Sequence, residues 1–223
     1  MKYRHEWKHE ISWADMIALR SRLSAVMKKD IHAIDGKYFI RSLYFDNASD
    51  KALKEKIDGV NKREKFRIRF YNYDTSVIHL EKKSKINGLC LKDSAVLTKE
   101  QAQDIVNGNL EWMPSSNIPL IVELYVKMKS QGLKPKTIVD YTREPFVFAP
   151  GNVRITLDYN IRTGLACTDF LNPDCITIPA GNNPIILEVK WDEFLPSVIQ
   201  DAVQLPSCRS GAVSKYALCR TYD

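Results

Sequence analysis

Residues 62–71 read KREKFRIRFY, with Phe66, Ile68 and Phe70 alternating with Arg67 and Arg69. That period predicts a strand with one oily face and one arginine face. Two arginines at i and i+2 sit roughly 7 Å apart along such a strand. Their repulsion is roughly 2 kcal/mol at an effective dielectric of about 20, and about 0.6 kcal/mol in bulk water. Such a strand either turns its arginines to solvent or faces them toward anions.

The same pattern recurs along the chain. HEWKHE puts Glu6, Lys8 and Glu10 on one side, and HLEKKSK does so with Glu81, Lys83 and Lys85. DYTREPF aligns Tyr141 with Arg143, VRITLD aligns Arg154, Thr156 and Asp158, and LEVK aligns Glu188 with Lys190. For one strand, the simplest explanation is the solvated outer face of an antiparallel sheet. For the whole set, a closed barrel with a charged lumen explains more. Its cations would converge and would need interleaved carboxylates, a bound polyanion and metal ions to balance them. Arginine offers a planar fork for phosphate oxygens, lysine a point charge. Glutamates among them suit Mg²⁺ or Mn²⁺ bridging phosphate oxygens. The chemistry suggested is phosphoryl transfer by positioning and charge neutralisation.

At 223 residues with 44% apolar content, the chain suits a single domain, residues 1–223, with its own core. Thirty-three Lys and Arg against 27 Asp and Glu give +6, a modest excess that favours an anionic partner. The five cysteines lack C-x-x-C spacing and are odd in number, so free thiols in a reducing, cytoplasmic compartment are expected. MKYRHEWKHE lacks the apolar core of a signal peptide, and IPLIVELYV is too short to span a bilayer, so a soluble protein is expected. His5, His9, His32 and His79 show no metal spacing, and no glycine-rich phosphate loop occurs.

The predicted elements are mixed α+β. Strands are expected at about 3–11, 38–45, 63–73, 76–83, 89–97, 136–147, 153–159 and 184–191. Asn87-Gly88 marks a hairpin turn. Ser12 with Asp15, and Thr98 with Gln101, form capping boxes that open helices. A short helix is expected at 49–57. Another at 119–131 carries Leu120, Ile121, Leu124 and Met128 on one face and ends at Gly132. Two helices near 196–204 and 210–220 finish the chain.

RHEWK (4–8), SLYFD (42–46), FRIR (66–69), LEKKS (80–84), QGLKPK (131–136), DYTREPF (140–146), RITLD (154–158), LEVK (187–190) and SKY (214–216) occur in this order over nearly the whole length. In that ordered set the chain resembles the VTC domain of polyphosphate polymerases, within the triphosphate tunnel (CYTH-like) superfamily. The resemblance implies an eight-stranded antiparallel β-barrel tunnel with helices outside and at its ends. It implies ATP-dependent growth of polyphosphate, with a divalent metal, Mn²⁺ or Mg²⁺. Lys8, Arg67, Arg69, Lys83, Arg143, Arg154 and Lys215 are the implied catalytic set. Tyr141, Lys85, Lys92 and Lys190 are expected to bind substrate, and Glu188 and Glu6 to hold metal. Asp158 reads as a partner of Arg154 or as a group behind the metal ligands.

Arg4 stands where the wider superfamily has the first glutamate of E-x-E-x-K, and Ala212 stands where relatives often carry a second cation before S-K-Y. The SPX region and transmembrane segment of eukaryotic relatives are missing, so a stand-alone domain of bacterial type is expected, with a membrane-bound partner left open. A tri- or polyphosphate hydrolase and a non-catalytic polyphosphate-binding module are the alternatives. Nucleic-acid binding is disfavoured, because Phe66 and Phe70 lie on the face opposite Arg67 and Arg69 and cannot stack bases beside them.

Overall fold

The computed structural model describes residues 4–87, 89–205, 209–210 and 213–222. Eleven strands form one antiparallel sheet. Eight of them make up its continuous wall, in the order β1 (His5–Ile11), β10 (Ile185–Trp191), β8 (Val153–Thr163), β7 (Lys134–Phe148), β3 (Tyr38–Asp46), β4 (Lys62–Tyr71), β5 (Asp74–Ile86) and β6 (Leu89–Leu97). Three two-residue strands decorate that wall. β2 (Lys28–Lys29) pairs with β7, β9 (Ile178–Pro179) with β8, and β11 (Arg209–Ser210) with β1. The wall curls until its two ends approach, and Arg4, just before β1, forms an antiparallel bridge with Cys90 of β6. Register shifts at Tyr44/Phe45, Arg69/Tyr71 and Asp140/Thr142 bend the strands where the curl is made.

The oily faces of these strands point outward, and helices cover them. Helices α3 (Lys99–Asn107) and α4 (Pro119–Gln131) place Ala102, Ile105, Ile121 and Leu124 on Phe66, Ile68, Phe70 and Leu80. Helix α1 (Trp13–Val26) places Met16, Leu19 and Leu23 against Ile155, Leu157, Leu187 and Val189, together with Ile199 of α5 (Ser197–Ala202). Each fully buried side chain of this kind is worth about 1.5–3 kcal/mol relative to exposure. This burial holds the curled sheet with its charged face inward. Helix α6 (Lys215–Cys219) packs on that inner side, where Tyr216 stacks on Tyr44 with ring centroids 5.0 Å apart. Helix α2 (Lys51–Ile57) follows β3; the Asp46 carboxylate accepts from the backbone N–H groups of Ala52 and Leu53 and from the Tyr216 hydroxyl.

The predicted capping boxes form at Ser12/Asp15 and Thr98/Gln101, and Gly132 takes positive φ after α4. The strand expected at 63–73 stops at Tyr71. Asn72 and Tyr73, at φ +50° and +59°, make a two-residue turn instead. This positive-φ turn matches the twist of the flanking strands. The helix expected near 210–220 is reduced to Lys215–Cys219, preceded by β11 at Arg209–Ser210. Ala212 and Gly88 lie outside the described residues. The strands β2, β9 and β11 were not foreseen, because two residues are too few to show a period. No helix among the described residues is long and apolar enough to cross a membrane.

Candidate functional site

Cross-strand register carries one face unbroken around the curl. Lys8 lies opposite Glu188, and Glu6 opposite Lys190. Glu188 faces Thr156, and Arg143 faces Asp158. Further round, Tyr44 faces Arg67, Ser42 faces Arg69, Arg67 faces Glu81, and Lys83 faces both Lys65 and Lys92. The alternation in sequence thus becomes a ring of inward-pointing charge.

Two carboxylate centres organise the ring. Glu81 on β5 is nearly buried and meets three cations: Arg67 at 2.8 Å, Arg69 at 2.6 Å and Lys92 at 2.6 Å. Arg67 donates through both Nε and Nη2 to Glu81, and through Nη1 to the Tyr44 hydroxyl at 2.8 Å. The second centre joins Glu6, Glu188 and Asp158. Lys8 bridges Glu6 (2.7 Å) and Glu188 (3.0 Å), and Lys190 sits 3.0 Å from Glu188. Arg143 forks onto Asp158 at 2.7 and 2.8 Å and reaches Glu188 at 3.5 Å. Lys215 of α6 reaches Asp158 at 2.5 Å and lies over the Tyr141 ring. Lys83 on β5 reaches Glu6 on β1 at 3.0 Å. Those strands are not neighbours in the sheet, so this contact ties its two approaching ends together.

These surroundings shift the titrations. Burial opposes ionisation of Glu6, as does the neighbouring Glu188 carboxylate. Lys8, Lys83 and Lys190 outweigh both and hold its carboxyl at about 2. Glu188, Glu81 and Asp158 likewise lie below the usual carboxylate range, because adjacent cations overcome their burial. Burial also works against the charge on Lys8, yet Glu188 and Glu6 raise its value above that of an ordinary lysine. Burial would raise the Tyr141 phenol, but Arg143, Arg67 and Lys215 bring it down.

The expected site residues divide by position. Lys8, Arg67, Arg69, Lys83, Lys92, Arg143, Lys190 and Lys215 converge on the two carboxylate centres, with Tyr141 among them. Lys85 shares their face beside the β5–β6 turn, opposite Cys90 and Arg63. Arg154 has the right parity, opposite Lys190, but its guanidinium pairs with Asp30 at 3.1 Å. Asp158 accordingly pairs with Arg143 and Lys215, not with Arg154. Some residues of this face escaped the sequence reading, among them Lys65, Ser42 and Tyr44. Lys65 continues the Arg67/Arg69 alternation by one step, a signal that was present. Ser42 faces Arg69 from within SLYFD, and nothing about a lone serine flags it.

Among the described residues, the eight cations that meet Glu6, Glu81, Asp158 and Glu188 outnumber these four carboxylates two to one. The buried atoms Ser42 Oγ, Thr156 Oγ1 and Arg69 Nε have no hydrogen-bond partner among the described residues. Spare positive charge and orphaned polar atoms on one concave face suit a polyvalent oxyanion. No three acidic, His or Cys side chains are grouped as a metal cage among the described residues. Glu6 and Glu188, held together by Lys8, offer carboxylate oxygens that fit Mg²⁺ or Mn²⁺ if phosphate oxygens complete the shell. Magnesium is usually held that way, by one or two carboxylates plus substrate phosphates.

A family model of the VTC domain matches residues 3–222. Among solved structures, a candidate adenylate cyclase of Bacillus halodurans is 15% identical with a TM-score of 0.49, covering 85% of this chain and 80% of that one. The PH1819 protein of Pyrococcus horikoshii is 16% identical with a TM-score of 0.44, covering 90% of this chain and 84% of that one. No curated protein sequence matches the chain. With residues 3–222 matched and its α+β sheet curled around a charged face, the chain belongs to the VTC domain family.

Proposed function

We propose that the protein is an ATP-dependent polyphosphate polymerase. The observation that carries this reading is the surplus of inward-pointing Arg and Lys over carboxylates, spread along strands rather than focused at one point. A chain of phosphates has the matching charge spacing. In the proposed reaction, a terminal oxygen of phosphate or of a growing chain attacks the γ-phosphorus of ATP. The bond to the bridging β–γ oxygen breaks, and ADP leaves with that electron pair. Arg67 and Arg69 hold the triphosphate by their forks. Lys83 and Lys92 neutralise charge on the same wall, and Lys8, Arg143, Lys190 and Lys215 do so on the opposite wall. Lys85 and Arg154, toward the ends of the face, guide the anion. A Mg²⁺ or Mn²⁺ held by Glu6 and Glu188 would draw charge from phosphate oxygens. Acceleration then comes from positioning and preorganised positive charge.

Incubation with ATP and Mn²⁺ tests the reading. Long anionic chains resolved on a gel, with ADP released, are expected. Orthophosphate alone would mean a hydrolase. Tight polyphosphate binding without turnover under any divalent metal would mean a binding module.

A further inference from the structure

The lysines of the inner wall differ in one respect. Lys83, Lys92, Lys190, Lys8 and Lys215 each have a carboxylate within ion-pair distance. Lys65 has none among the described residues. It stands opposite Lys83 in direct register, with Lys92 opposite Lys83 on the other side, so three lysines lie side by side across β4, β5 and β6. Like charges directly opposite each other in a sheet destabilise it. The Lys65 ammonium instead lies over the Tyr44 ring, 5.4 Å from its centroid. Lys85 also has no carboxylate within ion-pair distance among the described residues, but it lies by the β5–β6 turn at the edge of the face.

We propose that Lys65 is a phosphate ligand that lacks a counter-ion in the empty channel and gains one only when a polyphosphate-class anion enters. This rests on the reading of the channel as a polyphosphate site and adds a residue and a proton linkage to it. Burial and the charges of Lys83 on β5, Lys8 on β1, Arg67 on its own strand and Lys215 on α6 push the titration of Lys65 well below that of an ordinary lysine. An arriving phosphate reverses the balance by placing negative charge beside the amine. The amine then takes a proton from solvent and donates to a phosphate oxygen. Anion binding is therefore accompanied by proton uptake and weakens as pH rises.

Isothermal titration with tripolyphosphate at pH 8, in two buffers of different ionisation enthalpy, tests this. The wild-type protein is expected to take up a fraction of a proton per ligand. Lys65→Met should bind about tenfold more weakly or worse, as loss of one charge-assisted contact implies. Its ligand-free melting temperature should equal or exceed that of wild type, because an amine crowded by like charges and without a carboxylate partner has been removed; a purely structural lysine would give a fall. Lys65→Arg should retain affinity but lose the proton uptake, since guanidinium stays charged. Wild-type affinity in Lys65→Met overturns the inference and leaves the polyphosphate reading standing. Failure of the wild-type protein to bind tripolyphosphate overturns both.

Discussion

Arg67 grips Glu81 with two donors, Nε at 2.9 Å and Nη2 at 2.8 Å, across a direct register pair of β4 and β5. The same carboxylate meets Arg69 and Lys92 at 2.6 Å each. One buried acid thus restrains three cations. A pair of this kind is weak evidence for stability, but removing one partner leaves uncompensated buried charge.

Glu81→Gln therefore costs about 3 kcal/mol of folding stability, within the range for breaking a buried pair. Tripolyphosphate should recover much of that loss by replacing the missing charge. Thermal melts with and without ligand check this. Equal melting temperatures for wild type and variant would show that Glu81 carries no such burden.

Tripolyphosphate is expected to raise the melting temperature of the wild-type protein, because a ligand bound only by the folded state stabilises it by mass action. At 100-fold excess over Kd the gain is about 2.7 kcal/mol. Changing Arg67 and Arg69 together to Ala removes that gain, while Lys92 remains as a counter-ion for Glu81. A full ligand-induced shift in the double variant would take both arginines out of the site.

Acid weakens the fold in a defined window. Glu6 falls from its ordinary value of 4.5 to about 2 on folding, so its contribution is fully present above 4.5 and is lost as pH falls through 2. Glu188, Glu81 and Asp158 are lowered too and add in the same sense. Asp140, raised by burial despite its pair with Arg41, acts in the opposite sense. Denaturant titrations from pH 6 to 2.5 should show stability dropping steeply below about 4.5. A flat profile to pH 3 contradicts the ion-pair account.

Gly151 sits at φ +70°, and a Cβ there would lie 2.4 Å from the Phe194 carbonyl oxygen. Gly151→Ala should destabilise the β7–β8 connection by about 1–3 kcal/mol through strain and forced displacement of backbone. Thr98→Ala, at the N-cap of α3 and outside the channel, should cost about 1 kcal/mol and leave anion binding unchanged. Chemical denaturation and tripolyphosphate titration of both variants separate scaffold from site.

The alternation of charge and oil by itself determined which side chains share a face. Arg67 was legible as sharing a face with Arg69, Glu81 with Lys83, and Glu188 with Lys190, because side-chain direction along a strand depends only on parity. The helix starts at Ser12 and Thr98 were legible because capping is local. Parity is symmetric, however, and cannot say which face is enclosed. That was decided when α1, α3 and α4 buried the oily side. Parity also leaves partners open: Asp158 could serve Arg154 or Arg143, and register together with the placement of α6 gave it Arg143 and Lys215. The isolation of Lys65 likewise exists only in three dimensions. The curl brings Glu6 to Lys83 where the two ends of the sheet approach, and cross-strand geometry gives Glu81 to Arg67, Arg69 and Lys92. Coulomb pairing depends on distances of a few ångströms between strands far apart in sequence, and those distances belong to the folded sheet alone.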